Sequence, residues 1–169
     1  MSSKNSKKCA LLIIIPAIVL ITAAVIIAVI FIRKGKPNDG ETAWYTSNGY
    51  ALSGRDAVEY FGLSSTSDGI IGNAMYNSTY KDGLFLFKDQ TNKDIFDNDP
   101  SAYIPQYGGY CAYAVSRSYT APGDPNAWTV YGGKLYINNN KGVRSTWLRN
   151  TESNIDKAND VWKDWKYSN

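Results

Sequence analysis

The sequence predicts an α+β fold in which two β-hairpins are interleaved with four or five short helices, preceded by one N-terminal transmembrane helix. Three observations predict it. Residues 10–32 carry no charge, two glycine-containing dipeptides each separate a pair of short apolar segments, and apolar residues recur at helical spacing near the C-terminus. The chain therefore divides into a membrane segment and one domain.

The uncharged run at residues 10–32 is rich in Ile, Val, Leu and Ala. About 20 such residues cross a bilayer core, whereas a cleavable signal peptide has a shorter apolar region and a small-residue cleavage site. Basic residues follow the run directly. We therefore predict a short tail at 1–9, a retained signal anchor at 10–32 and a linker at 33–43. An unusually long signal peptide is the alternative.

The net charge of +3 comes from the basic residues that flank this run. Six of the 18 basic residues precede Pro37, which leaves 12 against 15 acidic residues in the rest of the chain. Nucleic-acid binding needs a basic patch on the folded domain, so we expect no nucleic-acid partner. The membrane is the expected partner, through residues 10–32. The short tail and the long C-terminal region predict a cytoplasmic N-terminus and an extracellular, lumenal or periplasmic domain.

The domain is predicted at residues 44–169 and opens with a helix signal. Ser53 and Asp56 are spaced as in a capping box. We expect the helix to continue through Phe61 and to stop at Gly62, because glycine commonly ends helices.

Two pairs of short segments, each separated by a dipeptide that favours a tight turn, predict the hairpins. They are residues 75–80 and 84–87 around Asp82-Gly83, and residues 128–131 and 134–137 around Gly132-Gly133.

Three further helices are predicted from apolar spacing. The first spans residues 91–98, with Ile95 and Phe96 facing inward, and ends at Asp99-Pro100 because the residue before proline avoids helical geometry. The second spans residues 143–149. The third, capped by Ser153, is terminal and presents four apolar residues on one face: Ile155, Ala158, Trp162 and Trp165.

Cys111 is the one cysteine of the predicted domain, and the chain has no histidine. A Ser-His-Asp triad is therefore excluded. Gly108 and Gly109 allow a tight turn before Tyr110, after which a helix can begin at Cys111. A thiol in a first helical turn has a lowered pKa. Such a thiolate binds Cu(I) or reacts with oxidants, whereas the structural alternative is a buried cysteine that packs as a small apolar residue.

Two carboxylates are candidates to assist Cys111 as metal ligands. A single thiolate makes an incomplete metal site, so carboxylates such as Asp56 or Asp124 would have to assist, unless a second chain contributes another thiol. Each also has an ordinary interpretation, since Asp56 fits a helix cap and Asp124 fits the turn that its proline and glycine neighbours favour.

Two positions are candidates for modification. Asn77-Ser78-Thr79 has the pattern of an N-glycosylation acceptor, which fits a domain outside the cytoplasm. Cys9 abuts the predicted anchor, where palmitoylation is one interpretation and the absence of any role is the other.

Several separated runs between residues 50 and 165 resemble the YHS family, most closely its longer secreted or anchored members. The most specific is PQYGGYCA at 105–112; GRDAVEYF at 54–61, LFLF at 84–87 and the Asp99-Pro100 turn accompany it. The family pattern usually has a proline where this chain has Ala57. The resemblance implies metal handling, because shorter relatives occur beside heavy-metal and copper transport modules. Those relatives carry paired cysteines and the family is named for a Tyr-His-Ser signature, whereas this domain has one cysteine and no histidine. Some longer members are described as selenoproteins, which points to thiol redox chemistry.

The sequence thus predicts a membrane-anchored, extracytoplasmic, YHS-like binding domain that binds copper or another soft metal through Cys111. Two alternatives stay open. One is a thiol-redox protein that uses Cys111. The other is a non-catalytic interaction module, which the missing histidine and second cysteine favour; on balance the sequence favours a protein that is not an enzyme.

Overall fold

The computed structural model describes residues 44–165. The predicted tail, signal anchor and linker, together with Cys9, lie outside the described residues. Within residues 44–165, no helix has the length and apolar character that a bilayer crossing requires.

The described residues form three two-stranded antiparallel sheets and five α-helices, so the α+β class is confirmed. The strands are β1 Thr46–Ser47, β2 Tyr50–Ala51, β3 Asn73–Tyr80, β4 Gly83–Phe87, β5 Asp124–Tyr131 and β6 Lys134–Asn138. The helices are α1 Gln90–Asn98, α2 Pro100–Tyr103, α3 Ala112–Val115, α4 Lys141–Leu148 and α5 Thr151–Lys163. Three 3₁₀ turns lie at Leu52–Gly54, Glu59–Phe61 and Gln106–Gly109.

The hairpin of β3 and β4 is confirmed, but its turn lies one residue earlier than predicted. Lys81 and Asp82 have φ of 45° and 64° and occupy the two central positions. Gly83 instead begins β4, where a Cβ would lie 2.7 Å from the Trp44 ring. The glycine is therefore needed for the close approach of the indole, and not for turn geometry.

The hairpin of β5 and β6 turns where the sequence predicts, at Gly132 and Gly133, both of which have positive φ. Its first strand is longer than expected, because β5 begins at Asp124 and passes an irregularity between Asp124 and Trp128.

The small hairpin of β1 and β2 was not predicted. Its strands have two residues each, too few for an alternating pattern to be visible. Its turn is Asn48-Gly49, with φ of 55° and 82°. That dipeptide is a strong hairpin signal and could have revealed it.

The predicted helix from Ser53 to Phe61 is wrong. Two short 3₁₀ turns replace it, and Ser53 has φ of 52°, which no capping serine adopts. The cap is Asp56, whose Oδ1 accepts the N–H groups of Val58 at 2.9 Å and Glu59 at 3.3 Å. Gly62 does follow the second turn, as expected.

The other helices are present, with two corrections. Ile95 of α1 is 37% exposed, while Phe96 is fully buried, so only Phe96 faces the core. Ser153 lies inside α5, which begins at Thr151 after Asn150, so it is not the cap. The side chain of Asn140 caps α4 by accepting the Val143 N–H at 2.9 Å.

The core consists of two aromatic clusters. The first joins both long hairpins to α1 and includes Trp44, Tyr60, Phe85, Phe87, Phe96, Trp128, Leu135 and Ile137. The second lies under the terminal helices and includes Tyr107, Tyr110, Val115, Tyr136, Trp147, Ala158 and Trp165. Strand β6 contributes to both, because Leu135 and Ile137 alternate with Tyr136 along it.

A buried carboxylate fastens three segments of the first cluster together. Asp56 has no exposed surface. Besides its two local N–H donors, its Oδ2 accepts the Lys88 N–H after β4 and the Asn92 Nδ2 of α1, each at 2.8 Å. Asn92 Nδ2 also donates to Glu59 at 2.9 Å, and the bond of Glu59 with Lys88 holds the pKa of the Glu59 carboxyl below its ordinary value of 4.5.

Substitution of Asp56 by Asn should lower the free energy of unfolding by about 3 kcal/mol, because an amide group in place of one oxygen leaves buried N–H donors without an acceptor. Chemical denaturation of the full chain, followed by tryptophan fluorescence, measures this. Asp124→Asn is the matched control. Its partly exposed carboxylate accepts the Asn126 N–H through Oδ1 alone, so the loss should stay below about 1 kcal/mol. Equal losses in the two variants would contradict the role of Asp56.

Candidate functional site

The residues before Cys111 form the tight turn that the sequence predicts. Tyr107, Gly108 and Gly109 have φ of 56°, 62° and 81°, and Cys111 is the N-cap residue of α3. The turn packs closely on the loop before β5, where a Cβ on Gly123 would lie 2.1 Å from the Gly109 carbonyl oxygen. Gly108, Gly109 and Tyr110, which the sequence predicts to support Cys111, therefore determine the backbone conformation of this turn.

The Cys111 thiol is buried, with 1% of the residue exposed. Its Sγ lies 3.9 Å from Asn138 Oδ1, and this oxygen also accepts the Tyr113 N–H at 3.3 Å. Asn138 is itself fully buried at the end of β6. The thiol thus packs against a buried amide and is closed to solvent.

Burial raises the pKa of the Cys111 thiol above its ordinary value of 9.0, and hydrogen bonds from the backbone N–H groups of Ala114, Asn139 and Tyr113 offset only part of this rise. The shift is opposite to the one expected for a first helical turn. Helix α3 has only four residues, and desolvation outweighs its terminal N–H groups. At neutral pH the group is a protonated thiol, the less reactive form.

The two candidate carboxylates have other partners. Both oxygens of Asp56 are occupied by N–H donors, and Asp124 caps its own turn through Asn126. Among residues 44–165, no three side chains of His, Cys, Asp or Glu come together as a group that could hold a metal ion. Metal binding by Cys111, Asp56 and Asp124 stays a prediction.

Asn77 lies on β3 and is exposed. Its Nδ2 donates to the Ala74 carbonyl at 2.7 Å, and the hydroxyl of the neighbouring Ser78 donates to Asp97 at 2.5 Å. The acceptor nitrogen is therefore on the surface of a strand, and its glycosylation stays a prediction.

A cleft of about 500 Å³ lies beside the Cys111 segment. Its walls come from two distant stretches of chain, one before β2 and the other around α3. The lining residues are Trp44, Tyr45, Thr46, Tyr110, Thr120, Ala121 and Pro122. The Tyr45 N–H donates to the Gly108 carbonyl at 2.8 Å, which joins the first stretch to the turn before α3. The Cys111 N–H donates to the Ala121 carbonyl at 3.0 Å, which holds the second stretch together.

The aromatic walls of the cleft are held by the core. The Trp44 indole N–H donates to the Lys81 carbonyl at 2.7 Å, and the ring stands edge-on to Phe85 at 5.2 Å. The rings of Tyr45 and Tyr110 lie 5.7 Å apart. These contacts fix the rings before any ligand arrives, which lowers the cost of ordering them on binding.

Within residues 44–165, the lining of the cleft consists of rings, hydroxyls and small apolar groups and includes no Asp, Glu, Lys, Arg or Cys side chain. It therefore offers shape, ring faces and hydrogen bonds, and neither a strong nucleophile nor an acid–base pair. Sequence reasoning missed this cleft because residues 44–46 and 110–122 are far apart in the chain. They are brought together by the bond from the Tyr45 N–H to the Gly108 carbonyl and by the contact of the Tyr45 and Tyr110 rings. The signal that pointed to it was the aromatic content next to PQYGGYCA.

A comparison of the chain with protein-family models, with curated proteins and with solved structures finds no match in any of the three. The resemblance to the YHS family thus rests on the motifs described above and stays a prediction.

The Cys111 thiol should resist alkylation by iodoacetamide at pH 7.5 in the native protein and react fully after denaturation, because it is buried and protonated. Mass spectrometry of the full chain with Cys9→Ser measures this, since that substitution leaves one thiol. The additional Cys111→Ser substitution gives the background. Rapid native alkylation would instead favour the thiol-redox interpretation.

Proposed function

We propose that this chain is a membrane-anchored, extracytoplasmic, YHS-like binding protein that acts without catalysis and holds its ligand in the aromatic cleft. The cleft is the observation that carries the proposal. Its volume of about 500 Å³ lies within the range of small-molecule sites, about 300–1,000 Å³, and such sites are mostly apolar with a few polar groups.

The chemistry of the domain supports binding over catalysis. The chain has no histidine. Within residues 44–165 the one thiol is buried beside Asn138 with a raised pKa, and the cleft has no charged side chain. The Cys111 segment shapes the cleft through its backbone, since Tyr110 lines it and the Cys111 N–H fixes Ala121.

Residues 10–32 supply the proposed anchor, and the short tail before them, with the long region after them, supports a domain outside the cytoplasm.

A large side chain placed in the cleft should weaken ligand binding. Ala121 lines the cleft, and Ala121→Trp should weaken any ligand found there by at least about tenfold, because the indole takes the space that the ligand needs. Ligand-observed NMR with a library of neutral fragments, applied to the full chain in lipid nanodiscs, identifies the ligand and measures this.

Ala74→Trp is the control, since Ala74 is an exposed residue of β3 outside the cleft. Cys111→Ala should bind as the wild type does. Fragment binding that Cys111→Ala abolishes and Ala121→Trp leaves intact would refute the proposal.

The second proposal is soft-metal binding through Cys111, which the affinity of Cu(I) for sulfur and the family resemblance support. If Cys111 is the ligand, the Cys111→Ser variant should bind Cu(I) more weakly than the wild type by about tenfold or more. Titration of both against a Cu(I) chelator, with Cys9→Ser in each, measures this. Equal affinity in the two proteins would remove Cys111 as a ligand.

A further inference from the structure

The polar groups of the cleft narrow the class of its ligand. Within residues 44–165, the hydroxyls of Tyr45, Thr46 and Thr120 take part in no side-chain hydrogen bond. Each hydroxyl can donate one hydrogen bond and accept two. A ligand that covers them must supply both acceptors and donors, because a buried hydroxyl without a partner is costly.

Among the described residues, no charged side chain lines the cleft, which argues against ionic ligands. A carboxylate or phosphate there would lose water without gaining a Lys or Arg partner from residues 44–165, and an amine would lose water without gaining a carboxylate from them. The ligand is therefore neutral.

The three hydroxyls also distinguish between classes of neutral ligand. A purely apolar chain would leave the three hydroxyls unsatisfied. A polyproline segment carries only carbonyl acceptors, so it could accept the hydrogens of the three hydroxyls but would offer no donor to their oxygens. A sugar ring meets both demands, since it carries hydroxyls that donate and accept and has an apolar C–H face that packs on an aromatic ring.

We propose that the cleft binds a neutral sugar ring, as a mono- or disaccharide, with its C–H face on the partly exposed Tyr45 ring and its hydroxyls bonded to Thr46 and Thr120. This inference rests on the proposed function, because it assigns the ligand of the same cleft. Trp44 and Tyr110, which are 5% and 7% exposed, form the rigid floor beneath it.

The test is isothermal titration of the full chain in lipid nanodiscs with four neutral disaccharides: maltose, cellobiose, lactose and diacetylchitobiose. At least one should bind. Tyr45→Ala should weaken that binding by about tenfold through loss of the ring, whereas Tyr45→Phe, which keeps the ring and removes one hydroxyl, should weaken it by about threefold. Tyr131→Ala is the matched control; Tyr131 is an exposed tyrosine at the β5–β6 turn and should not matter.

A decaproline peptide and decanol serve as comparison ligands in the same titration. Binding of either one, lost in Ala121→Trp, without binding of any disaccharide would overturn the sugar assignment and leave the proposed function standing. Failure of every probe and every neutral fragment to bind in the cleft would overturn both. Disaccharide binding with equal affinity in wild type and Tyr45→Ala would also overturn the assignment, because the ring would then have no part in it.

Discussion

The domain depends on one fully buried carboxylate. Asp56 follows the chain reversal at Ser53 and receives donors from its own turn, from the end of β4 and from α1. A buried charge is tolerated only when its hydrogen bonds are complete, and here N–H groups from three segments complete them. Glu59 adds a hydrogen bond from Asn92 and an ion pair with Lys88 between the same segments. The Asp56 carboxylate thus fixes how the N-terminal turns, the first long hairpin and α1 meet.

Around the cleft, main-chain groups hold the walls in position. The Gly108 carbonyl receives the Tyr45 N–H, and the Ala121 carbonyl receives the Cys111 N–H. The segment PQYGGYCA, which the sequence suggested as the reactive or metal-binding site, therefore contributes mainly through its backbone. Its glycines set a turn, its tyrosines supply rings, and its cysteine fills space beside Asn138.

Local patterns in the sequence predicted the α+β class and both long hairpins, because turn dipeptides and alternation depend on neighbouring residues. These patterns failed where residues far apart in the chain determine the local structure. Asp56 caps its own turn instead of extending a helix from Ser53, since β4 and α1 compete for its oxygens. Gly83 is needed for the close approach of the Trp44 ring and not for the geometry of the turn. The Cys111 position predicted a lowered pKa, yet burial by residues far along the chain reverses the direction. The cleft could not be predicted, because its two walls are far apart in the chain and meet through the Gly108 carbonyl and the rings of Tyr45 and Tyr110.

Trp44 opens the described part of the chain and is also a wall of the cleft. Among the described residues, Trp44 is the first that tension along the backbone from the proposed anchor would reach. Its described restraints include the hydrogen bond to Lys81, the close fit on Gly83 and ring contacts with Phe85 and Tyr80. In the proposed anchored protein, Trp44 would therefore link occupancy of the proposed ligand site to load on the anchor.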